Sequence, residues 1–256
     1  MLRLYRIRHD GEPRYAAERE GRVRLVEGDI FDRFSEGADL APDGLDLLPP
    51  VVPSKIVCIG LNYKDHAAEQ HKPLPEEPLI FIKPSTAVIG PGQAIEVPAW
   101  AGRVDHEAEL GLVIGRQAFK VRAADAHKHI LGLVAVNDVT ARELQHKDGQ
   151  YTRSKGFDTF APIGPCLAVG LDGRDLEVRA YVNGSLRQNS RTRELIFTIP
   201  ELVEFVSSVM TLLPGDIIST GTPSGIGPIV PGDQVTVHVE GVGALTNPVV
   251  AREDEA

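Results

Sequence analysis

Residues 104–115 read VDHEAELGLVIG, an apolar run broken by two glutamates one residue apart. Strand side chains alternate between faces, so a strand here sets Glu107, Glu109, Gly111 and Val113 on one side and Ala108, Leu110, Leu112 and Ile114 on the other. The second set is uniformly apolar and belongs against a core. The first mixes two carboxylates with a glycine and a valine, a combination that suits a cleft floor better than a solvated surface. Carboxylates this close repel, and a bound cation is the usual relief. By itself Glu-x-Glu also describes a solvated edge strand, so the surrounding residues must decide.

Working outward from this stretch, the chain from Lys55 onward is a succession of short strand-like runs separated by turn signals: KIVCIG, PLIFIK, TAVIG, AIEVP, LGLVAVN, PCLAVG, LEVRAYVNG, DIIST and QVTVHVEG. Pro91-Gly92, Pro214-Gly215 and Pro231-Gly232 each precede an extended run, the pattern of a type II turn feeding a strand. Asn183-Gly184 predicts a two-residue hairpin turn. Helices are few. Thr198 and Glu201 form a capping box, with Pro200 in the first turn and Leu202, Val206, Val209 and Leu213 at helical spacing. Shorter helices are expected from Thr140, with Glu143 as its box partner, to Gly149, and over Asn62 to Gln70. Residues 1–50 read as a small β-rich N-terminal domain ending in a proline-rich linker, and 51–256 as the main domain. The expected fold is β-dominated α+β with peripheral helices.

The 256 residues carry a formal net charge of -9 without a basic run, which argues against nucleic acid as a partner. The mixed-charge N-terminus MLRLYRIRHD does not resemble a signal peptide, and no apolar stretch approaches the roughly 20 residues of a membrane span. A cytoplasmic protein with no membrane contact is the expectation. Cys58 and Cys166 sit in apolar contexts and read as small buried hydrophobes rather than as a disulfide or zinc site.

A third carboxylate, Asp138, follows the run LGLVAVN. Three carboxylates without His or Cys are hard oxygen donors suited to Mg²⁺, Mn²⁺ or Ca²⁺ rather than zinc. In NYKDHAAEQ, His66 and Glu69 are three apart and share a face if helical, so the carboxylate can orient the imidazole and raise its basicity. Lys155 in TRSKGFDTFAP has few acids beside it in sequence and suits a substrate carboxylate or enolate. The loop STGTPSGIGP offers hydroxyls and amides for a carboxylate but lacks the lysine of a nucleotide P-loop. A cupin-like oxygenase would also be β-rich, but it needs imidazoles for iron, and His127-x-His129 lies in an expected helix, AADAHKHILG. A non-catalytic protein with a structural cation is the alternative from a different class.

Taken together, CIGLNYKDHAAE, FIKPSTAVIGPG, DHEAELGLVIG, NDVTARELQ, SKGFDTFAPIGP and GDIISTGTPSGIGP resemble, in order and spacing, the fumarylacetoacetate hydrolase family over about residues 51 to 250. The resemblance implies a mixed β-sandwich roll, a homodimer, and Mg²⁺ or Mn²⁺ held by Glu107, Glu109 and Asp138. It further implies that a 2-oxo or 2-hydroxydienoic acid chelates the metal, which stabilises an enolate. Lys155 matches the family's active-site lysine, Arg142, Gln145 and Thr222 match substrate-contacting positions, and His66 with Glu69 matches the catalytic pair of a lid helix. The wording LLPPVVPSKIVCIGLNY is similar to bacterial members of homoprotocatechuate breakdown, which isomerise 2-hydroxyhepta-2,4-diene-1,7-dioate or decarboxylate its tricarboxylate precursor. Acylpyruvate hydrolysis and oxaloacetate decarboxylation by the same site are the rivals. Leu61 stands where acylpyruvate-hydrolysing relatives often carry Arg, which argues against the first of these.

Overall fold

In the computed structural model, which describes residues 1–253, a 12-stranded mixed sheet carries much of the chain. At its centre lies Ala108–Ile114, antiparallel to Ile130–Asn137 on one side and to Ile217–Ser219 on the other. Lys55–Ile59 adds in parallel beyond Ile217–Ser219, and Ile80–Pro84 follows at that edge. In the other direction Ala161–Val169 pairs with Ile130–Asn137, and Leu2–His9 pairs with Ala161–Val169, Leu4 facing Leu167. The strands Glu12–Arg19, Arg22–Gly28 and Phe34–Leu40 continue the same sheet. A five-stranded sheet runs in the order Ser185–Arg191, Glu177–Val182, Gln234–Val239, Gly243–Ala251, Ile95–Val97. The result is a β-dominated α+β sandwich roll with helices at its margins.

The alternation read in 104–115 organises the core. Ala108, Leu110, Leu112 and Ile114 join Val178, Ala180, Val237 and Leu245 of the five-stranded sheet, with Leu202, Val203 and Val206, in one buried cluster. Val113 points the other way, into a second cluster with Val134, Val136, Ile163, Ile217 and Leu4. Both faces of the strand are therefore dry beyond Glu109, and the cleft is confined to its N-terminal end. Gly111 marks the tightest approach, since a Cβ there would lie 2.7 Å from Val136 and 2.8 Å from Val134.

The turn glycines adopt the positive φ that the Pro-Gly pairs imply, with Gly92 at 76°, Gly215 at 89° and Gly232 at 98°. Asn183 and Gly184 are both left-handed, as a type I′ hairpin requires. The helix Ile199–Val209 carries the expected capping box. Its buried face is Leu202, Val203, Val206 and Ser207; Val209 is exposed, and Leu213 lies beyond the helix because Met210 is already extended.

The helix expected from Thr140 starts later, at Arg142, and runs to Asp148 without a capping box. Thr140 instead pairs with Asp105 in a short ladder and donates its hydroxyl to Asp138 O, while Glu143 accepts from Arg103 N. The segment expected over 62–70 is helical only across Lys64–Glu69. AADAHKHILG forms a 3₁₀ turn, Ala123–Lys128, and His129 donates through Nδ1 to Gln117 O at 3.0 Å. Cys58 and Cys166 are buried free thiols. Among the described residues no helix is long and apolar enough to cross a membrane.

Candidate active site

A cavity of about 470 Å³ opens at the N-terminal end of Ala108–Ile114. It is lined by His66, Glu107, Glu109, Arg142, Gln145, Lys155 and Thr222, so the fold gathers most of the residues singled out above. Asp138 lies buried behind this wall, and Glu69 backs His66.

One oxygen from each of Glu107, Glu109 and Asp138 lies within 4.8 Å of the others, and all three side chains are buried. The sheet sets this up: Asp138 follows immediately after Asn137, which pairs with Ala108 between the glutamates, and Asp138 N donates to Glu107 O at 2.8 Å. Three hard oxygens so close form a group that can bind a metal ion, and their chemistry fits a small divalent cation such as Mg²⁺ or Mn²⁺.

Charge in the site is closely matched. Lys155 Nζ bridges Glu107 Oε2 at 2.7 Å and Asp138 Oδ2 at 2.5 Å, and sits 5.0 Å from the centre of the Phe81 ring. Lys83, fully buried, donates to Asp138 Oδ1 at 2.6 Å and to Val139 O at 3.0 Å. Arg142 donates to Glu107 Oε1, to Asp105 Oδ2 at 3.0 Å and to Gln145 Oε1 at 2.6 Å. Glu109 instead accepts from Ser219 Oγ at 2.6 Å and Gly221 N at 2.9 Å, so the loop donors noted in the sequence hold a carboxylate of the chain itself.

These environments pull the two glutamates apart. Burial works to raise Glu107, but Lys155 and Arg142 outweigh it and hold the carboxyl down to about 2. Glu109 is driven up to about 8 by burial, reinforced by the negative charges of Asp138 and Glu107. Burial acts against the charge on Lys155, yet Asp138 and Glu107 keep its ammonium well above the usual lysine value.

The short helix Lys64–Glu69 covers one side of the cavity. His66 Nδ1 lies 2.9 Å from Glu69 Oε2, and Gln70 Nε2 lies 2.8 Å from His66 Nε2. With Gln70 donating to Nε2, Nδ1 carries the proton and donates it to Glu69. The helix is tied down by Gly225 N on Glu69 Oε1 at 3.0 Å and Ser190 Oγ on Asp65 Oδ2 at 2.5 Å. Asn62, fully buried, anchors its approach by donating to Thr220 O and accepting from Phe197 N. Thr222 gives its hydroxyl proton to Ala108 O and accepts from Gln188 Nε2, leaving it only acceptor capacity toward a ligand.

Lys83, Asp105, Arg103, Gln70 and Gln188 were not singled out in the sequence, although all of them touch or frame this site. A lysine inside the apolar run PLIFIK was the one available signal.

A mixed β-roll encloses a buried three-carboxylate group that could hold a metal ion, flanked by lysines and an arginine as positive hydrogen-bond donors. Residues 55–250 match the family described as Fumarylacetoacetate (FAA) hydrolase C-terminal, and the chain belongs to that family. The structure of 2-hydroxyhepta-2,4-diene-1,7-dioate isomerase from Mycobacterium marinum is 43% identical with a TM-score of 0.92, covering 99% of this chain and 100% of that one. That of 5-carboxymethyl-2-hydroxymuconate delta-isomerase from Mycobacterium smegmatis is 46% identical with a TM-score of 0.91, covering 98% and 100%. Oxaloacetate tautomerase fahd2, mitochondrial, from Xenopus laevis is 41% identical over 224 residues, 82% of this chain and 70% of the relative.

Proposed function

We propose that the protein is a divalent-cation-dependent isomerase of a 2-oxo or 2-hydroxydienoic dicarboxylic acid, of the kind met in homoprotocatechuate breakdown. Decarboxylation of the tricarboxylate precursor draws on the same residues. The observation that carries this reading is that one cavity is walled by Glu107 and Glu109, which cluster with Asp138 behind them, and by a carboxylate-backed imidazole. Glu107, Glu109 and Asp138 would hold Mg²⁺ or Mn²⁺, whose Lewis acidity favours an enol or enolate oxygen over a ketone. Glu69 fixes the His66 ring through Nδ1, so Nε2 is the atom that takes and returns a proton. Gln70 must cede that position to substrate or water. Lys155 and Arg142 supply positive donors beside the reacting oxygens, and Gln145 fixes the Arg142 fork.

Relatives named as isomerases support proton transfer as the reaction type. The relative named as an oxaloacetate tautomerase favours a second reading, keto–enol transfer on a shorter diacid, which uses the same proton-moving group. Leu61 places an apolar side chain on the cavity wall, which argues against acylpyruvate hydrolysis.

The test is conversion of 2-hydroxyhepta-2,4-diene-1,7-dioate, its tricarboxylate precursor, oxaloacetate and acetylpyruvate by EDTA-stripped protein, with and without Mg²⁺ or Mn²⁺. Metal-dependent conversion of the first two is expected. Turnover confined to oxaloacetate would select the second reading, and turnover of acetylpyruvate alone, or of nothing, would overturn the proposal. His66→Ala should lower kcat by about 10²–10⁴-fold at unchanged Mn²⁺ affinity; an undiminished rate would remove His66 from the reaction.

A further inference from the structure

Two guanidinium groups share one buried carboxylate at the cavity wall. Asp105, fully buried, accepts from Arg103 Nε at 2.7 Å, from Arg103 Nη2 at 3.2 Å and from Arg142 Nε at 3.0 Å. A short ladder sets the two side by side, with Val104 opposite Ala141 and Arg142 N donating to Arg103 O at 2.7 Å. Their positions differ. All three Arg142 nitrogens are engaged, on Asp105, Gln145 and Glu107. Arg103 spends only two of its five N–H donors on Asp105, and its side chain is 50% exposed while lining the cavity. Lys72, also exposed, lines the same cavity.

The free donors of Arg103 show where a second anionic group finds partners.

We infer that Arg103, held in place by Asp105 and assisted by Lys72, receives the substrate carboxylate remote from the metal, so that the site selects 2-oxo diacids over 2-oxo monoacids. This rests on the 2-oxo acid reading above. The test is calorimetric titration of the Mn²⁺-loaded protein with 2-oxopentanedioate and with 2-oxopentanoate, which share a chain length and differ in the terminal carboxylate. Wild type should bind the diacid at least tenfold more tightly. Arg103→Gln should weaken diacid binding by about tenfold, the loss of one charge-assisted contact, and leave the monoacid within about twofold. Lys72→Met, an exposed position, should shift the diacid in the same direction. Metal-dependent binding without diacid preference, or variants that weaken both acids equally or neither, would overturn this inference alone. Absence of metal-dependent binding for either acid would overturn the 2-oxo acid reading and this inference with it.

Discussion

Glu109 is the one of the three clustered carboxylates with neutral hydrogen-bond partners, Ser219 and Gly221. Its folded value near 8 lies above the ordinary 4.5, so between those values the native chain holds a proton there that the unfolded chain has lost. The stability this contributes in EDTA is fully present below about pH 4.5 and is lost as pH rises toward 8. Glu107, depressed to about 2, works in the opposite sense: its contribution is present above 4.5 and lost as pH falls toward 2. Urea unfolding of wild type and Glu109→Gln in EDTA at pH 5.5, 6.5 and 7.5 separates the two groups. Wild-type stability should fall with pH relative to the variant, and a constant difference would contradict the assignment. Glu107 and Glu109 stand out by local alternation, which left a solvated edge strand open until the surrounding motifs were weighed. Lys83 was not readable, since its partner Asp138 lies 55 residues away and only the packed sheet makes a buried lysine tolerable. Arg103 and Asp105 look like surface charges until the ladder with Thr140 and Ala141 brings Arg142 alongside.

At the level of elements, the strand Ala108–Ile114 does two jobs, filling two cores with its apolar residues and presenting Glu109 at one end, with Glu107 just ahead of it. Gly111 separates the two regimes. Gly111→Ala would press a methyl against Val134 and Val136 and should cost about 1–3 kcal/mol of unfolding free energy, read by chemical denaturation. A change below about 0.5 kcal/mol would mean that the valines yield freely. The helix Ile199–Val209 was legible because its capping box is local, and it forms as the spacing Thr198 to Glu201 implies. The same reasoning failed at Thr140 because tertiary contacts took both box partners. Its backbone was claimed by the ladder with Asp105 and its hydroxyl by Asp138 O, while the Glu143 side chain went to Arg103 N. Capping motifs report a preference that a competing strand pairing overrides.

For the whole molecule, the N-terminal strands are joined to the large sheet by backbone pairing and share its second core, through Leu2, Leu4, Ala17 and Val26. Removing residues 1–50 would leave Ala161–Val169 as an unpaired apolar edge beside an uncovered cluster. The truncated protein should aggregate at concentrations where the full chain does not, as seen by sedimentation; equal solubility would show that residues 51–256 are self-sufficient. The β-rich character of this region was readable from its alternation, whereas its pairing with a strand more than 150 residues away was not, because nothing in a short alternating run names its partner. The account as a whole stands on one cation bound by Glu107, Glu109 and Asp138 being required for turnover. The direct measurement is isomerisation of 2-hydroxyhepta-2,4-diene-1,7-dioate followed spectrophotometrically while EDTA-stripped protein is titrated with Mn²⁺. Activity should rise from nil, saturate at about one Mn²⁺ per chain, and be absent in folded Glu109→Gln at every Mn²⁺ concentration. Full activity in the stripped protein, or a Glu109→Gln titration matching wild type, would contradict it.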